Sequence, residues 1–202
     1  MNTNYLYDYV DLLEKVLSYG HKHNYSTSTI ERSVSYSPFF MKIESNEDYF
    51  GAIVETGRLI HSIFPEKTVF TDHAPTYIPC LWAAEAYIRI QEHSKLTFEA
   101  IFLYLPIEKM YELFPLYHEM DFSKAIFYFD ELVEKQPIFA ILLKRYKYTL
   151  KYVFKNTGIS YQTLASLKQR RRDIKKMNIE SLYKLSKLFK VRIETLAEIK
   201  LS

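Results

Sequence analysis

Glycine is nearly absent from this chain. Four occur in 202 residues, at positions 20, 51, 57 and 158. Gly158 is the only one after position 57, in Lys155-Asn156-Thr157-Gly158-Ile159-Ser160. Without a Cβ it can take the left-handed conformation that ends a helix and reverses the chain. A helical pattern, Leu150 to Thr157, runs up to it. A second one, Tyr161 to Gln169, leaves it, with Ser160 placed to cap the new helix. Leu164 and Leu167 lie three apart and face inward with Val153, while Ile159 plugs the angle between the helices. Residues 150–169 can therefore fold as two short crossed helices about a tight turn.

Charge sets this region apart from the rest. Residues 1–136 hold 11 Lys+Arg and 20 Asp+Glu, a balance of −9; residues 137–202 hold 16 and 4, a balance of +12. The formal net charge of +3 conceals that division. A basic third on an acidic body is the electrostatic footprint of a polyanion partner. The single cysteine, Cys80, has no internal disulfide partner. Together with the absence of a basic, then apolar leader and of a long apolar run, it points to a cytoplasmic chain with no membrane span.

Proline marks the same boundary. All seven prolines lie between Pro38 and Pro137. The division is placed at Gln136-Pro137, and no Gly/Ser linker marks it, so the parts can pack closely or share a helix. The N-terminal part reads as mostly helical. Leu6, Tyr9, Val10, Leu13, Val16 and Leu17 share one face of a first helix, with Gly20 and the polar run after it as its end. Val34, Tyr36 and Phe39-Phe40 suggest a short extended segment. Ser45-Asn46-Glu47-Asp48 reads as the start of a helix through Ile53, Ile60 and Ile63. Pro79 to Ile90, with the only tryptophan, Trp82, reads as the central core helix. Thr97–Leu103, Ile107–Leu113 and Phe122–Val133 complete the body.

The segment from Phe139 to Ile199 resembles the Cro/C1 (Xre-type) helix-turn-helix family. The resemblance rests on Thr157-Gly158-Ile159-Ser160, Thr163-Leu164, Leu167, Arg172-Asp173-Ile174, the run Ile179 to Val191, and Ile193-Glu194-Thr195-Leu196. It implies a lambda-repressor-like helix-turn-helix domain (137–202) with no cofactor; with the helical reading of the N-terminal body (1–136), the expected class is all-α. It also implies that the helix after the turn enters the major groove of duplex DNA. Ser160, Tyr161, Gln162, Ser166 and Gln169 would then inherit the base-contacting role. The chain departs from the family twice. Phe154 stands where the family has alanine four residues before the turn glycine, and Arg170 stands where a glycine often follows the recognition helix.

Side-chain chemistry suits those roles. Gln162 and Gln169 can each make paired hydrogen bonds to adenine. Lys168, Arg170, Arg171 and Arg172, with Lys151 and Lys155 on the first helix, suit phosphate contacts that position a protein without reading sequence. In the N-terminal part, His21-x-His23 reads as an exposed pair beyond a helix end, without a third metal ligand nearby. Asp72-His73 with Cys80 can be drawn as a catalytic site, but Cys80 opens an apolar stretch where a buried, inert thiol is expected. His118-Glu119 and Asp121 read as a helix-end surface cluster. The expectation is a non-enzymatic DNA-binding regulator, acting as a homodimer and as a repressor. Family members include mobile-element repressors and antitoxins, which would give the acidic, aromatic-rich body a protein partner. The other reading is an interaction module whose helix-turn-helix no longer touches DNA.

Overall fold

The computed structural model describes residues 3–45, 56–64 and 78–201. Every regular element among them is helical, which agrees with the all-α class expected from the sequence. The acidic part holds α1 (Thr3–Lys22), α2 (Thr27–Ser35), α3 (Pro38–Glu44), α4 (Thr56–Ile63), α5 (Ile78–Ser94), α6 (Phe98–Tyr104), α7 (Ile107–Tyr117) and α8 (Ser123–Lys135). The basic part holds α9 (Ile138–Arg145), α10 (Leu150–Thr157), α11 (Tyr161–Lys168), a 3-10 turn (Ile174–Lys176), α12 (Ile179–Phe189) and α13 (Ile193–Leu196).

The body is organised around α5, which packs along α1 and carries α7 and α8 on its other sides. Cys80, Ala83, Ala84, Ala86, Tyr87, Ile88 and Ile90 are all buried on it. A broad apolar stripe of this kind faces a core, and the partly exposed Glu85 and Arg89 pair with each other outside it. Its alanines let α1 approach with Leu13, Val16 and Leu17, each fully buried. Helix α6 is the second organising element. All seven of its residues are buried, and it touches α2, α3, α5 and α8 of the body and α9 and α13 of the basic part.

Several N-terminal expectations need correction. Gly20 does not end α1; the helix continues to Lys22. A methyl on residue 20 would lie 2.5 Å from Ile30 Cδ1, so this glycine serves the close approach of α2. The extended segment expected near Val34 to Phe40 is helical. Ser26 Oγ accepts from Thr29 N at the start of α2, Ile30 and Val34 bury one turn apart, and Pro38 opens α3 with its fixed φ. The apolar spacing there has a helical as well as an alternating solution, and the caps decide between them. Ser45 ends α3, while Asn46, Glu47, Asp48, Ile53, Asp72 and His73 lie outside the described residues.

No helix spans residue 136. Gln136 is extended and Pro137 precedes α9, so the chain breaks there and packs back on the body. The seam is polar and buried. Arg192 Nη1 and Nη2 donate to Glu44 Oε2 and Oε1 at 2.8 and 2.9 Å, and Arg192 N donates to Glu99 Oε2 at 2.9 Å. Glu44 Oε1 also accepts from Phe98 N at 2.6 Å. The side chains of Glu44 and Arg192 are only 1% and 13% exposed. Thr97 and Thr195 share a hydroxyl hydrogen bond of 2.7 Å, Tyr104 donates to Glu198, and Leu201 N donates to Lys95 O at 2.8 Å.

Two outcomes follow from these buried charges. Arg192→Met leaves Glu44 and Glu99 without their cation and should cost about 3–5 kcal/mol in urea unfolding. Adding Glu44→Gln and Glu99→Gln should recover most of that loss. Elsewhere, burial pushes the Glu14 carboxyl above its usual range, although Ser18 donates to it at 2.6 Å. A carboxyl raised on folding binds its proton more tightly in the native state, so stability falls as pH rises from the unfolded to the folded pKa. Glu14→Gln should therefore be more stable than the parent at pH 7 and lose that advantage below the ordinary carboxylate range, measured by thermal melts across pH.

Candidate nucleic-acid interface

Helices α10 and α11 form the crossed pair expected from the sequence. Thr149 Oγ1 caps α10 by accepting from Tyr152 N at 3.1 Å. Gly158 ends it in the left-handed region at φ 71°, with its N–H donating to Phe154 O at 2.8 Å. Ser160 caps α11 by accepting from Thr163 N at 3.2 Å. Val153, Ile159, Leu164 and Leu167 are all buried in the crossing, as their spacing predicts, and α9 packs against α11 behind them.

Both departures from the family pattern have a structural account. Phe154 does not fill the crossing; it is 47% exposed, while Val153 and Thr157 occupy the inner face. Arg170 takes the conformation that a glycine would favour, at φ 55°, just beyond the end of α11. Arg171 N then donates to Ser166 O at 2.9 Å, which closes the helix end. The turn is kept at the backbone cost of a non-glycine residue in this region.

The outer face of α11 is open. Tyr161, Gln162, Lys168 and Gln169 are exposed, and Ala165 and Ser166 are half-buried. Gln162, Ser166 and Gln169 are spaced four and three apart and share one helix face. The Gln162 and Gln169 amides have no hydrogen-bond partner among the described residues. The hydroxyls beside them are engaged locally: Ser166 Oγ donates to Gln162 O at 2.9 Å, and Ser160 Oγ to Thr163 Oγ1 at 2.9 Å. The helix spans about 12 Å at 1.5 Å per residue, a length a major groove accommodates.

The cations divide. Lys151, Lys155, Lys168 and Arg171 are exposed, with no ion-pair partner among the described residues. Arg172 Nη1 lies 3.4 Å from Thr163 Oγ1. Arg170 turns back to the body, donating to Glu134 O at 3.3 Å and lying 3.6 Å from Glu198 Oε1. That orientation was not legible in the sequence, because both partners are remote from it. Tyr152 on α10 and Tyr183 on α12 are also exposed. Their exposure is a tertiary property.

The other candidates gather no comparable site. His21 lies in the last turn of α1, not beyond it, and His23 is half-buried with its ring 4.2 Å from that of Tyr19. Cys80 is buried 3.2 Å from Tyr111 Oη, and burial pushes its thiol up, away from the reactive thiolate. His118 Nδ1 lies 2.9 Å from Phe114 O at the end of α7, and Asp121 Oδ1 accepts from Ser123 N at 2.7 Å. Among the described residues no group of three or more His, Cys, Asp or Glu could hold a metal, and no helix is long and apolar enough to cross a membrane.

The turn makes a direct prediction. A Cβ at Gly158 would meet nothing within 4 Å, so Gly158→Ala introduces no clash. Its cost is the left-handed backbone alone, about 1–2 kcal/mol. Urea unfolding should show that loss while the circular-dichroism spectrum is unchanged. A much larger loss would mean that residue 158 is packed and not merely turned.

Comparison with known proteins agrees with this geometry. A family model, the Cro/C1-type HTH DNA-binding domain, matches residues 140–201. No curated protein and no solved structure matches the chain. The matched residues begin within α9 and extend through α13. The C-terminal third of this chain is a Cro/C1-type helix-turn-helix DNA-binding domain.

Proposed function

We propose that this protein is a sequence-specific transcriptional regulator that reads duplex DNA with α11 in the major groove. The observation that carries this reading is the open outer face of α11. The domain packs on the body through α9, α13 and the end of α12, and Gln162 and Gln169 remain exposed. An interaction module that had given up DNA would have no need to keep that face uncovered. Gln162 and Gln169 act as the adenine-reading amides, with Tyr161 beside them. Ser160 and Ser166 chiefly hold the helix, since their hydroxyls are engaged in it. Lys151, Lys155, Lys168, Arg171 and Arg172 contact phosphates, and Arg170 contributes through the seam.

Residues 1–136 act as the assembly body and 137–202 as the DNA-reading unit. Two copies reading half-sites about 34 Å apart would bind a palindromic operator and repress by occluding it. Exposed Leu116, Met120 and Phe127 on the body, the last 64% exposed, supply apolar surface for self-association or for a protein partner such as a toxin.

Fluorescence anisotropy on duplexes from the flanks of the protein's own gene tests this reading. One fragment should bind tightly, with a steep salt dependence. Gln162→Ala should cost about 1–3 kcal/mol on that fragment and little on others. Ser166→Ala should cost less, since its hydroxyl is engaged. Arg171→Ala should weaken all fragments alike and lower the salt slope by about 1. Equal, weak binding to every fragment would sink the sequence-specific reading.

A further inference from the structure

Two helix ends at the seam are built against local preference, and their side chains meet. Arg170 follows the end of α11 and Glu198 follows the end of α13, each in the left-handed region, at φ 55° and 50°. Glycine takes this place without steric cost. A residue with a Cβ persists there only where its surroundings hold it. Arg170 Nη2 lies 3.6 Å from Glu198 Oε1, and Arg170 Nη1 donates to Glu134 O at 3.3 Å. Glu134 is in the last turn of α8, where carbonyls lack a partner within the helix and a cation is favoured. Glu198 is itself fixed from the body: Tyr104 Oη donates to it, and its side chain is only 19% exposed. The body thus grips the residue after Gln169 from two sides, through α6 and through α8.

We propose that Arg170 is a positioning residue for Gln169, so that base reading at the far end of α11 depends on the body. This rests on the DNA-binding reading given above. Gln169 is the C-terminal cap of an eight-residue helix. Helices this short owe their order to packing, and helix ends open first. Residues 168–173 are all exposed, so burial does little to hold this end. What holds it is the backbone bond from Arg171 N to Ser166 O and the two contacts of the Arg170 guanidinium. Paired hydrogen bonds to adenine tolerate little misplacement, since both must keep good distance and angle at once. Releasing Arg170 frees the end of α11 without unfolding it, and the cost falls on the base that Gln169 reads. Gln162 lies in the first turn, which the Ser160 cap secures, and keeps its contact.

The test is anisotropy of the full-length protein on single-base variants of its best duplex, at several salt concentrations. Gln169→Ala and Gln162→Ala mark the base that each amide reads. Arg170→Asn tolerates the left-handed backbone and removes the guanidinium. It should lower discrimination at the Gln169 base about tenfold and leave the Gln162 base and the salt slope unchanged. Glu198→Gln keeps an acceptor for Tyr104 and removes only the charge. It should cost about threefold at the same base, with no further loss when added to Arg170→Asn. If one variant fails to fold, the other is held to the same outcomes. Unchanged discrimination would overturn the proposal. So would a uniform loss with a salt slope lower by about 1, the mark of a phosphate contact. Amide hydrogen exchange without DNA gives a second readout. Arg171 and Arg172 N–H, which donate to Ser166 O at 2.9 and 3.3 Å, should exchange about threefold faster in Glu198→Gln. Unchanged exchange there removes the tether. A parent protein that binds every fragment equally, or none, removes the DNA-binding reading and the role of Arg170 with it. Specific binding by the parent, with discrimination unchanged in Arg170→Asn, removes this proposal alone.

Discussion

The relation between the two halves of this molecule depends on one buried cation. Arg192 lies between Glu44, at the end of α3, and Glu99, in the fully buried α6, and its own backbone N–H completes the set. Three charges taken out of water are tolerable only where each is met by hydrogen bonds in good geometry. That requirement sets the position of α13 on α6 far more narrowly than apolar contact would, because hydrophobic burial is non-directional. The Thr97–Thr195 and Tyr104–Glu198 hydrogen bonds repeat the arrangement on either side. The basic unit is thus oriented on the body by polar groups with directional demands, while Ile138, Leu142 and Leu196 join the same continuous apolar core as the body.

The outer face of α11 is free as a consequence of that attachment. The unit presents α9, α13 and the end of α12 to the body, so α11 is supported from behind by α9. The two left-handed residues flanking α11 set its reach. Gly158 brings the chain into the helix with no Cβ to hinder it, and Arg170 takes it out with a guanidinium turned to the seam. Arg170 therefore serves both as backbone hinge and as tether, which a glycine at that place could not do.

Charge separation follows the same division. Residues 1–136 carry a balance of −9 and residues 137–202 one of +12, so a polyanion would meet repulsion from the first and attraction from the second.

What could be read from the sequence alone followed from local rules. The turn at Gly158, the caps at Ser160 and the inward Val153, Ile159, Leu164 and Leu167 depend on neighbours within a few residues, and the all-helical class depends on periodicity. The charge division is a property of composition. Where local signals were ambiguous they misled, as at Gly20 and at Val34 to Phe40. There a glycine serves packing instead of termination, and capping side chains settle between two periodicities. Only the tertiary structure decided that Phe154 points outward, that Arg170 belongs to the seam, and that Arg192 is held by carboxylates 148 and 93 residues away. Such partners leave no trace in spacing, because a buried charge is satisfied by whatever the fold brings to it.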